Sequence, residues 1–128
     1  MSDEIVFISR NRVVEGRHAE FEIAFGHAVD LIRTTKPQTA FIAAYADRGH
    51  AEVRVVHVFP DADAMAVHFE GSAQRTQAAV ELIAPTAFEV YGRAPLPAID
   101  QLRREASAAG ASVDLLPISI GGFLRRPG

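Results

Sequence analysis

A chain of 128 residues, 48% of them hydrophobic, has the size of one domain and is too apolar to be intrinsically disordered. Its formal charge of −3 is spread among 13 basic and 16 acidic residues, which leaves no basic stripe for nucleic acid. The absence of cysteine excludes disulfides, thiolate metal ligands and a thiol nucleophile.

The start, Met1-Ser2-Asp3-Glu4, lacks the basic flank and long apolar centre of a secretory leader. No apolar run approaches the roughly 20 residues of a membrane span, so a cytoplasmic location is expected. Ile5 to Val14 reads as a strand, with Ser9, Asn11 and Val13 on one face and Arg10, Arg12 and Val14 on the other. Glu15-Gly16 supplies the turn. A helix is predicted from about Arg17 to Thr34, with an apolar stripe of Phe21, Phe25, Ala28 and Ile32 widened by Ala24 and Leu31. Pro37 stops it.

Thr39 to Ala46 reads as a second strand and Asp47-Arg48-Gly49-His50 as a hairpin loop. In the third strand, Glu52 to Phe59, Val53, Val55, His57 and Phe59 share one face. Pro60 ends it and Asp61 is placed to cap a short helix bearing Met65, Val67 and Phe69. Gly71-Ser72 restarts the helix, which carries Ala79, Val80 and Ile83 and is expected to end at Pro85. Ala87 to Arg93 is read as a fourth strand.

The order β-α-β-β-α-β predicts an α+β, ferredoxin-like fold, a four-stranded antiparallel sheet with its helices on one face. The other face is left apolar, and a second copy of the chain is the simplest cover. Residues 1–94 form this unit. Residues 95–128 add a helix with the stripe Ile99, Leu102 and Ala106, a stop at Gly110, and a strand-like arm from Val113 to Ile120 broken by Pro117. The arm is expected to dock on the same domain or on the dimer partner.

Few residues are placed to carry chemistry. Ser9 and Asn11 are polar on a face that looks at the helices, so they either pair with each other or line a pocket. His68, as a neutral imidazole, could accept a phenolic proton or bond a carbonyl. It also reads as a partly exposed histidine on a surface helix or one bonded to nearby backbone. His57 reads as a satisfied core or interface histidine, and Tyr45 and Tyr91 as packing residues able to reach a ligand. Arg10, Arg12 and Arg54 share a face and read as rim salt bridges. The histidines have no metal-ligand spacing, and no phosphate cradle is visible, so no metal, haem or flavin is expected.

Ile5 to Arg93 resembles the antibiotic biosynthesis monooxygenase (ABM-like) family of dimeric α/β barrels. The carrying features are the strand ending in Glu15-Gly16, the helix with Phe21 and Phe25, the Val53 to Phe59 strand, and the segment Phe59-Pro60-Asp61-Ala62-Asp63-Ala64-Met65-Ala66-Val67-His68. The resemblance implies a homodimer with a pocket for a small apolar or aromatic molecule, and cofactor-independent oxygenation of a quinol or phenol. Asn11 and His68 would act on the substrate, as oxyanion donor and proton acceptor, while Ser9, Phe59, Tyr45 and Tyr91 would bind it. Phe59 stands where active members carry tryptophan. In the haem-degrading branch an asparagine falls at Ser9, a tryptophan at His68 and the iron-ligating histidine at Ala78, so that activity is not expected. The rival reading is a non-catalytic ligand-binding or structural barrel. Asn11→Ala and His68→Ala are expected to spare stability, since both residues are read as lying at element margins.

Overall fold

The computed structural model describes residues 3–125, without the side chains of residues 73, 74, 76 and 77. The elements follow in the order β1 (Ile5–Val13), α1 (His18–Thr35), β2 (Phe41–Ala46), β3 (Glu52–Phe59), α2 (Ala62–Phe69), α3 (Ser72–Val80), β4 (Ile83–Tyr91), α4 (Leu96–Ala109) and β5 (Ser112–Leu116). They make an α+β fold around one mixed sheet of order β2-β3-β1-β4-β5. The first four strands pair antiparallel, while β5 adds to β4 in parallel, from Ala87↔Ser112 to Tyr91↔Leu116. The sheet therefore has five strands where the sequence predicts four, because the arm joins the sheet and stops one residue before Pro117.

The junction of α3 and β4 also differs. α3 ends at Val80, and Ile83, predicted to be helical, opens β4 instead. That strand runs through Pro85, where β5 has not yet begun to pair, so the missing proline N–H leaves no ladder bond unmade. A register shift opposite Arg10 and Asn11 leaves Thr86 as an extra residue, whose hydroxyl donates to the Arg10 carbonyl at 3.1 Å.

Alternation sends Ile5, Phe7, Ser9, Asn11 and Val13 of β1 toward the helices, beside Val53, Val55, His57 and Phe59 of β3. The buried core on this side falls into two clusters. Ile5, Phe7, Phe59, Met65, Phe88, Val90 and Leu102 pack under α2 and α4. Val13, Phe21, Val53, Val55, Ala79 and Leu82 pack under α1 and α3. Ser9 and Asn11 sit in β1 between the clusters, and at this seam the core is incomplete.

The helices largely follow their patterns. α1 buries Phe21, Ala28 and Ile32 but exposes Leu31. Asp61 caps α2 by accepting from the Ala64 amide at 2.8 Å. α4 buries Ala98, Leu102 and Ala106, at a spacing of four, so Ala98 rather than Ile99 heads its inward stripe. Gly92, with φ +103°, turns β4 toward α4; a Cβ there would come within 2.8 Å of the Glu4 carbonyl oxygen.

Among the described residues, no element covers the opposite sheet face. Val6, Ile8, Val56 and Val58 are half-buried on it, and Phe41, Tyr45 and Leu116 are exposed. Arg10 lies 3.6 Å from Glu52 and from Glu89 on the two neighbouring strands, and Arg54 3.0 Å from Glu52 within β3, the salt bridges expected of this arginine face. No helix among the described residues is long and apolar enough to cross a membrane.

Candidate active site

The seam between the two core clusters opens into a cavity of about 420 Å3. Phe7, Val55 and Phe88 of the sheet line it, together with Phe21 and Phe25 of α1 and Leu102 of α4. Small side chains leave the room: Ala28 on α1, Ala79 on α3, and Ala108 and Ala109 on α4 all face it. Its polar lining includes Ser9, Asn11, His57, His68, Arg75 and Glu105.

Ser9 and Asn11 are linked. The Asn11 Nδ2 donates to the Ser9 carbonyl at 3.3 Å and to the Ser9 hydroxyl oxygen at 3.2 Å. The carbonyl can only accept, which fixes the amide nitrogen toward Ser9. No hydrogen bond with a described residue involves the Asn11 Oδ1. Asn11 is 2% exposed, so its place is the core and not a margin.

His68 lies on the inward stripe of α2, one turn after Ala64 and Met65, and is 4% exposed. Its Nδ1 shares a 2.8 Å hydrogen bond with the Thr39 hydroxyl. Its ring meets Phe59 edge-on, with centroids 5.0 Å apart. The expectation that His68→Ala and Asn11→Ala would spare stability therefore loses its premise. The spacing Ala64, Met65, His68 was a legible sign that the histidine faces inward.

Burial, then the neighbouring His57, Arg75 and Lys36, lower the His68 pKa to about 3. Both cations are there to close α2: Lys36 Nζ donates to the Val67 carbonyl at 2.7 Å, and the Arg75 guanidinium to the His68 carbonyl and, at 2.9 Å, the Glu70 carbonyl. The same contacts that finish the helix thus help hold the imidazole neutral.

His57 is the residue that the sequence reading assigned to packing. Its Nδ1 donates to the Phe7 carbonyl at 3.1 Å, and Phe7 stacks on its ring with centroids 4.7 Å apart. Its Nδ1 is satisfied there, as expected of a core histidine, yet the residue also lines the cavity, 5.4 Å from the His68 ring. Burial, only partly offset by the Phe7 bond, lowers its pKa to about 4. The alternation of β3 alone places it on the face of Ser9 and Asn11.

Of the other predicted residues, Phe59 is fully enclosed in the core and backs the histidines without lining the cavity. Tyr45 and Tyr91 lie on the opposite sheet face, where Tyr45 is 60% exposed and the Tyr91 hydroxyl donates to Glu89 at 2.9 Å. They do not meet Asn11 and His68, because strand alternation separates the two faces. The sequence also gave no reason to place α4 at the site. There Gln101 Nε2 donates to the Ser72 hydroxyl at 2.8 Å, and burial raises the pKa of Glu105, against a Gln101 hydrogen bond that lowers it.

No family model and no curated protein matches the chain. Solved structures do. The chain is similar to MupZ from Pseudomonas fluorescens, with 15% identity and a TM-score of 0.73 over 98% of this chain and 91% of that one. It is similar to SnoaB, a cofactor-independent oxygenase from Streptomyces nogalater, with 23% identity and a TM-score of 0.61 over 75% of this chain and 99% of SnoaB. A Caulobacter crescentus structure assigned to the antibiotic biosynthesis monooxygenases aligns with 18% identity and a TM-score of 0.60, over 70% of this chain and 88% of that one. The match to MupZ takes in nearly the whole chain and hence α4 and β5 as well. The resemblance read from the sequence holds at the level of the fold, which this chain shares with the antibiotic biosynthesis monooxygenase structures.

Proposed function

We propose that this chain is a homodimeric, cofactor-independent oxygenase that takes a hydroxylated aromatic molecule, a quinol or phenol, between its sheet and helices. The observation that carries this reading is the cavity of about 420 Å3, whose lining joins phenylalanines to Ser9, Asn11 and His68. Its volume falls within the roughly 300–1,000 Å3 of small-molecule sites. A neighbour in fold, SnoaB, is named as a cofactor-independent oxygenase, which supports the reaction class.

In this reading the Ser9 hydroxyl, whose oxygen accepts from and is oriented by the Asn11 amide, donates to the phenolic oxygen as it gains negative charge, and His68 receives its hydrogen. The electron-rich ring passes an electron to dioxygen, and the oxygen then couples to a ring carbon. For a phenol taken to a quinone, one oxygen atom joins the ring. The other leaves as water with the ring C–H and O–H hydrogens. The substrate supplies all four electrons, so no external reductant is needed.

The dimer belongs to the same proposal. Val6, Ile8, Val56, Val58 and Phe41 form an apolar half of the bare sheet face, which a second copy would cover.

A second reading, a non-catalytic ligand-binding barrel, is favoured by one specific observation: with pKa values of about 4 and 3, His57 and His68 are weak bases at neutral pH. Oxygen consumption with a panel of quinols and polyketide-like phenols separates the two. Uptake of one dioxygen per quinone formed supports the oxygenase. Saturable binding with no oxygen uptake supports the binding protein, and the absence of both overturns the cavity as a site.

A further inference from the structure

His57 has a role open to it that neither the sequence nor the proposed chemistry uses. The Phe7 carbonyl can only accept, so the His57 Nδ1 carries the ring hydrogen and the tautomer is fixed. The ring stays neutral, since burial puts its pKa at about 4. Nε2 is then a bare lone pair, able only to accept. Among the described residues no hydrogen bond reaches it. The ring lines the cavity, and this nitrogen is the part of it left without a partner.

His68 differs. Its Nδ1 meets a hydroxyl, which can donate or accept, so either of its tautomers suits the site. His57 is thus the residue whose polarity is set by the protein in advance. The stack with Phe7 and the edge contact with His68 hold the ring in place.

We propose that His57 Nε2 is a fixed hydrogen-bond acceptor for a hydroxyl group of the bound molecule, and so selects hydroxylated aromatic ligands over ligands of similar shape that lack a donor. This rests on the reading of the cavity as a ligand site, but not on any oxygenation there. A buried acceptor left unpaired by a donor-free ligand loses its solvation with nothing in return, which is what makes a single hydroxyl discriminating.

The test uses 1-naphthol, with naphthalene and 1-methoxynaphthalene as probes of similar shape without a donor. Calorimetric titration at neutral pH is expected to show naphthol binding about tenfold tighter than either, the scale of one hydrogen bond. In protein with 15N-labelled histidine, the resonance of the unprotonated His57 Nε2 is expected to move upfield with naphthol and to stay with naphthalene. That readout needs no variant. His57→Phe, which keeps an aromatic ring against Phe7, is expected to lose the preference for naphthol and keep the affinity for naphthalene. If naphthol binds without moving the Nε2 resonance, or if His57→Phe keeps the preference, His57 is not the acceptor while the cavity stands. If none of the probes binds the parent chain, the cavity reading falls and this inference with it.

Discussion

Asn11, His57 and His68 are polar side chains enclosed in an apolar seam, and two consequences follow at the level of the single residue. The histidines are held below the ordinary value of 6.5, at about 4 and about 3, by burial. A depressed pKa means that the folded state takes up fewer protons than the unfolded chain as pH falls below 6.5. The stability tied to these groups is complete above pH 6.5 and drains away toward their folded values. By pH 4 the loss should be on the order of 3 kcal/mol for each histidine. Urea unfolding at pH 7 and pH 4.5 checks this, and a His57→Phe, His68→Phe double variant should flatten the difference. The second consequence concerns Asn11. Its removal strips Ser9 of a partner inside the core, so Asn11→Ala should lower stability by about 1–3 kcal/mol. Turnover of an accepted phenol should fall on the order of a hundredfold. Equal turnover by parent and variant, measured with an oxygen electrode, would remove Asn11 from the site.

Among the elements, the C-terminal pair α4 and β5 changes most between sequence and structure. Read along the chain, residues 95–128 are an attachment; in the fold, Leu102 and Ala106 belong to the larger core cluster and Leu102, Gln101 and Glu105 wall the cavity. Leu102→Ala should accordingly cost about 2–5 kcal/mol, the range of a buried leucine that leaves a void, visible as a lowered melting temperature. Truncation after Gly110 removes the strand that covers the β4 edge, together with Val113 and Leu115 packed on the core. An unchanged melting temperature would show that β5 is dispensable. Gly92 makes the connection possible. Gly92→Ala forces a side chain into a left-handed backbone and against the Glu4 carbonyl, and should destabilise by at least about 1–3 kcal/mol.

Taken whole, the molecule is a sheet with one face packed and one face bare. Helices cover the first face and enclose the cavity, while the second shows an apolar half around Ile8, Val56 and Val58 beside a charged half around Arg10, Arg54 and Glu52. The proposed homodimer rests on this asymmetry. Light scattering at micromolar concentration is expected to give twice the mass of the chain, and Val58→Lys, on the apolar half, to give the monomer with its helices intact by circular dichroism. A monomeric parent would leave the bare face without its proposed cover.

Much of this was written in the sequence, because periodicity reports which way a side chain points. The two-residue alternation of Ile5–Val13 and Glu52–Phe59 set the inward faces, and with them the company of Ser9, Asn11 and His57. The Gly71 break, the Asp61 cap and the Gly110 stop were equally local and equally legible. Which face a side chain lies on does not say what it will meet. That Thr39 would reach His68, that Arg75 and Lys36 would cap α2 beside it, and that α4 would supply a wall of the cavity are contacts between segments distant along the chain. They depend on how helices settle over a sheet, a matter of packing between surfaces and not of any one segment's pattern. The tyrosines mark the limit most plainly. Tyr45 and Tyr91 carry groups fit for a ligand, yet the sheet stands between them and the cavity, and the folded chain alone decides that.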